Sequence, residues 1–95
     1  MFIIEIIYTK DIAVIDEHLA EHRTWLDTQY KVGALLCSGP KNPRVGGILI
    51  ALLKNKSDVE SLIQQDPFYK HQVAEYSITE FTPVKWHPAI KELCA

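Results

Sequence analysis

Two stretches of this chain are apolar on both of their alternating faces, and this constrains the fold more than any other feature. Residues 2–8, FIIEIIY, place Phe2, Ile4, Ile6 and Tyr8 on one side of an extended backbone and Ile3 and Ile7 on the other. Residues 48–53, ILIALL, repeat the pattern with Ile48, Ile50 and Leu52 against Leu49, Ala51 and Leu53. Both are rich in the residue types that favour a pleated surface, so both read as strands. A sheet face left to water alternates polar with apolar. These two strands are therefore expected at the centre of a sheet whose two faces are both covered.

The rest of the chain supplies partners. Residues 12–31 carry apolar residues at helical spacing, with Asp11 as an N-cap candidate and Gly33 as the stop. Residues 34–38, ALLCS, read as a short strand ended by Gly39-Pro40, and KNPRVGG as a loop. Ser57, with Glu60 three residues later, forms a capping-box pattern for a second helix reaching about Gln65, where Asp66 precedes Pro67. Residues 75–82, EYSITEFT, read as a fourth strand, and the tail from 87 to 95 has room for one helical turn. The order is β-α-β-β-α-β, which predicts an α+β, ferredoxin-like sandwich: an antiparallel sheet with two helices on one face and the first and third strands central. Two helices cover one face only. A homodimer packed sheet against sheet would cover the other, and the alternative is a monomer whose tail lies across it.

Composition narrows the function. The chain has 95 residues, enough for one small domain, and 47% of them are hydrophobic. A net charge of −2, with no basic patch interleaved with aromatics, argues against nucleic acid or an anionic membrane as partner. No apolar run approaches the ~20 residues of a membrane span. The start, MFIIEIIY, lacks the basic leader of a signal peptide, and Cys37 and Cys94 have no CxxC partner. A soluble cytoplasmic protein is the expectation.

One helix position breaks the apolar pattern. Ile12, Ile15, Leu19 and Leu26 share a face, and the residue completing that stripe is His22. A core histidine satisfied by a structural partner would explain it. So would a functional imidazole facing a pocket, with a carboxylate to orient the ring and fix its tautomer. Asp66, at the end of the second helix, is the candidate carboxylate, although Asp-Pro is also an ordinary turn. Ser38 offers a hydroxyl without a GxSxG context, or merely caps the Gly-Pro turn. Arg44, beside Gly46-Gly47, suits an anionic or phenolic ligand, or is a solvated loop cation. His18 lies four residues before His22, the spacing of helical metal ligands, but no HExxH surrounds it and no metal site is expected. His71 and His87 lack a supporting constellation. Trp25 and Trp86 read as core or interface. No GxGxxG or P-loop is present, so no nucleotide or other cofactor is expected.

The segments EHRTWL, GALLCSGP, PRVGG and DPFYKHQVAEYSITEFTPVKW, in that order, resemble the YCII (YciI-like) family. The resemblance runs over roughly residues 1–86 and leaves the tail outside. It implies a dimeric ferredoxin-like α+β fold and an active-site His–Asp dyad, which falls on His22 of EHRTWL and Asp66 of DPF. Ser38 and Arg44 fall beside the pocket. The chemistry associated with the family is hydrogen halide elimination from a chlorinated hydroxyaromatic. The resulting expectation is a cofactor-free lyase or isomerase acting on a small polar or hydroxyaromatic molecule. Two alternatives remain: a ligand-binding or interaction module of the same dimeric fold, and an oxygenase-like α+β-barrel enzyme.

Overall fold

The computed structural model describes residues 1–94. Four strands, β1 (Phe2–Tyr8), β2 (Leu35–Pro40), β3 (Gly46–Ala51) and β4 (Ala74–Glu80), form one antiparallel sheet in the order β2-β3-β1-β4. The two doubly apolar strands are the central pair. Between β1 and β2 lie α1 (Ile12–Glu17) and α2 (Leu19–Lys31), and between β3 and β4 lie α3 (Lys56–Gln64) and α4 (Pro67–Lys70). The tail forms a 3₁₀ turn (Pro88–Ile90) that runs directly into α5 (Lys91–Cys94).

The register sorts the sheet into two faces. Phe2 pairs with Ala51 and Ile4 with Leu49, while on the other side Ile4 faces Ile78 and Ile6 faces Tyr76. This face meets Ile15, Trp25, Val59, Leu62, Ile63 and Phe68 of the helices in one apolar core. Fully burying each large aliphatic or aromatic side chain there contributes about 1.5–3 kcal/mol, and this holds the helices on the sheet. The opposite face carries Ile3, Glu5, Ile48 and Ile50, all half-buried, with Ile7 and Cys37 exposed. It is apolar at its centre, but Glu5, ion-paired to Lys41, interrupts it.

Several local details differ from expectation. The helix over 12–31 is two helices, because the backbone leaves helical geometry at His18 (φ −109°, ψ 3°). Ile12 consequently drops out of the buried stripe and is exposed. Asp11 stands at the N-cap position but makes no side-chain cap bond. The cap of α3 is Asn55, whose Oδ1 accepts from the Asp58 N–H at 3.2 Å; Ser57 lies inside the first turn and donates to the same oxygen. A cap needs extended backbone, which Asn55 has and a helical Ser57 does not.

Gly33 takes φ 75° just beyond α2, as a helix stop requires. Gly46 serves the sheet rather than a ligand: a Cβ there would lie 1.9 Å from the Ile6 carbonyl oxygen.

A candidate active site between helix α2 and the sheet

Asp66 ends one helix and begins the next. It follows α3, adopts extended backbone before Pro67, and caps α4 by accepting the Phe68 N–H on Oδ1 at 3.0 Å. The same oxygen accepts from His22 Nδ1 at 2.7 Å. The other oxygen, Oδ2, accepts from the Tyr76 hydroxyl at 2.6 Å. Asp66 is fully buried, so its charge is balanced by three converging donors rather than by water. Burial raises the Tyr76 pKa far above its ordinary value, and the Asp66 charge and hydrogen bond add to the shift, so the phenol stays protonated and donates.

A carboxylate can only accept, so His22 Nδ1 carries the proton of their bond. That fixes the ring and leaves Nε2 as its second nitrogen, without a hydrogen-bond partner among the described residues. Phe68 stacks flat on the imidazole, with centroids 4.0 Å apart and planes 8° apart. The indole of Trp25 lies 5.6 Å from the ring, and its buried Nε1 finds no hydrogen-bond partner among the described residues.

His22 forms part of the wall of a cavity of about 240 Å³. Leu19, Leu26, Ile6, Leu49 and Phe68 supply the apolar wall, and Arg23, Ser38, Arg44 and Tyr8 supply polar groups. Asp66 is absent from the lining and supports the ring from behind. Ser38, on the helix-facing side of β2, shares a 2.6 Å hydrogen bond with the Tyr30 hydroxyl rather than capping the Gly-Pro turn. Arg44 bonds Asp16 at 2.6 Å, with its guanidinium carbon 6.0 Å from the centre of the Tyr8 ring. The hydrogen bond to Asp16, its largest influence, raises its pKa, so a lasting cation stands at the cavity edge. Gly47 of β3 also lines the cavity.

The four residues singled out in the sequence are thus brought to one place: His22, Ser38 and Arg44 line the cavity, and Asp66 holds His22. His18 does not join His22; it stacks on His71 instead. Sequence pattern assigns no site role to Tyr76 or Tyr8. The alternation of β4 and β1 places both on the helix-facing side, but nothing in that pattern distinguishes a tyrosine that bonds a carboxylate from one that packs.

The model of the YCII-related domain matches residues 1–82. No curated protein matches the sequence. Among solved structures, the chain superposes on the 5-chloro-2-hydroxyhydroquinone dehydrochlorinase (TftG) from Burkholderia phenoliruptrix AC1100, in complex with 2,5-dihydroxybenzoquinone. The TM-score is 0.71 at 17% identity, covering 85% of this chain and 93% of that one. That likeness is one of fold.

Proposed function

The chain belongs to the YCII-related domain family, and on that premise we propose that it is a small-molecule lyase working by proton transfer at His22. The observation that carries this reading is a cavity-lining imidazole fixed from behind by a buried carboxylate. His22 Nε2 accepts a proton from the bound substrate. Asp66 holds the ring through Nδ1 and stabilises the imidazolium that forms. In a hydrogen halide elimination from a chlorinated hydroxyaromatic, a ring-hydroxyl proton taken by His22 is returned to the carbon that bears chlorine and makes it tetrahedral; loss of a second hydroxyl proton then forms a C=O bond, the ring electrons shift, and chloride leaves with the pair of its own bond. No electron is exchanged, so His22 supplies the chemistry without a redox partner.

The substrate class rests on the cavity. Its 240 Å³ falls below the ~300–1,000 Å³ of sites for drug-sized ligands, which suits a single ring. Arg44 favours an ionised ring hydroxyl, and Ser38 with Tyr30 offers a neutral hydrogen bond. The fold neighbour acts on a chlorinated hydroxyhydroquinone, and a chlorinated hydroxyaromatic is the substrate proposed for this chain. The assembly proposed is a homodimer of ferredoxin-like subunits, each presenting its open sheet face, centred on Ile3, Ile48 and Ile50, to the other.

A second reading treats the protein as a binding module, because Asp66 also has structural duties: it caps α4 and anchors Tyr76. One experiment separates the two. A panel of chlorinated and unchlorinated hydroxyaromatics is followed by protein thermal shift and by chloride release. The lyase reading expects binding by both sets and chloride from the chlorinated set. Binding without chloride release favours the module, and no binding by either set contradicts both.

A further inference from the structure

His18, Glu21 and His71 form a second cluster outside the cavity. One ligand atom from each lies within 4.8 Å of those of the other two. The imidazoles of His18 and His71 stack, with centroids 3.9 Å apart and planes 17° apart. His71 Nε2 lies 3.7 Å from Glu21 Oε2, beyond hydrogen-bond range. The break in the helix at His18 creates this arrangement. It starts α2 afresh at Leu19, so Glu21 falls in the first turn, three residues beyond His18. His71 closes the C-terminal end of α4, which packs against α2.

Two ring nitrogens and one carboxylate oxygen are the donor set of zinc sites that retain an open position. We propose that His18, Glu21 and His71 bind a zinc-type divalent cation, with water completing its shell. Ligand atoms on a tetrahedral zinc with bonds of about 2.0–2.1 Å lie about 3.4 Å apart. The cluster spans up to 4.8 Å, and rotation of the exposed Glu21 and His71 side chains about the half-buried His18 closes the difference.

The position gives such a cation a consequence. The His18 carbonyl accepts the His22 N–H at 3.0 Å, and the His71 N–H reaches the Pro67 carbonyl, next to Asp66, at 3.0 Å. A cation there ties the turn carrying His22 to the turn carrying Asp66 from outside the cavity. This holds whether or not the dyad is catalytic.

The test is zinc titration of the metal-stripped, untagged chain by calorimetry, with thermal melts alongside. One zinc per chain and a raised melting temperature are expected. His18→Gln and His71→Gln should each weaken binding by at least the ~10–100-fold that loss of an outer-shell partner costs. His87→Gln should bind as the parent does. Failure of the parent to take up zinc at millimolar concentration overturns the proposal. So does parental affinity in both histidine variants, or in Glu21→Gln where a histidine variant loses the fold.

Discussion

The Tyr76 hydroxyl donates to Asp66 Oδ2 at 2.6 Å, on the carboxylate oxygen that His22 leaves free. One buried carboxylate therefore links α2, α4 and β4. Tyr76→Phe removes that donor and nothing else, and a hydrogen bond to a charged group contributes about 1.5–3 kcal/mol. Urea unfolding at neutral pH should show a loss of this size.

The same bond has an alkaline signature. The folded-state pKa of Tyr76 is raised, by burial and then by Asp66, above the ~10 of an unfolded tyrosine. Its contribution is fully present below that unfolded value and is lost as pH rises towards the folded one. The parent should destabilise above about pH 10 more steeply than Tyr76→Phe. Parallel alkaline limbs in the two proteins would show that the phenol is not held as described.

Asp66 can be divided into its charge and its acceptor geometry. Asp66→Ala leaves His22, the Phe68 N–H and Tyr76 without their acceptor, and a buried donor left unsatisfied costs about 1–3 kcal/mol. Asp66→Asn keeps one acceptor oxygen and caps α4 about as well. Denaturant midpoints should fall in the order parent, Asp66→Asn, Asp66→Ala. Equal midpoints for the two variants would contradict the capping role.

Gly46 and Gly39 make a matched pair. A Cβ at Gly46 meets backbone at 1.9 Å, whereas one at Gly39 meets nothing within 4 Å. Gly46→Ala must shift β3 or β1, at a cost of about 1–3 kcal/mol or more. Gly39→Ala should stay within about 0.5 kcal/mol of the parent. Thermal melts of the two variants decide it.

The proposed dimer is tested by light scattering at micromolar concentration. The parent should have the mass of two chains. Ile50→Glu, which puts a charge at the centre of the open face, should halve it. A monomeric parent would overturn the assembly.

Much of this architecture was legible in the residues because periodicity reports burial directly. The double apolar faces of 2–8 and 48–53 marked the central strands, and the imidazole in the stripe of Leu19 and Leu26 marked the cavity wall. The break at His18 was not legible: neither Gly nor Pro stands there, and Ile15, Leu19, His22 and Leu26 keep helical spacing across it. Ser57 and Asn55 are both good caps, and only backbone geometry chose between them. The His22–Asp66 bond spans 44 residues, and its third member, Tyr76, required the register of β4 against β1. Such contacts depend on how elements are docked, which local patterns do not encode.

The most direct test of the account is the chloride-release rate of His22→Gln beside that of the parent, on a substrate that the parent turns over. Glutamine keeps a hydrogen-bonding side chain but cannot exchange a proton near neutral pH. The rate should fall by about 10²–10⁴-fold, while melting temperature and ligand affinity stay close to the parent's. A variant that folds, binds and releases chloride at the parental rate would contradict the assignment of His22 as the acid–base group.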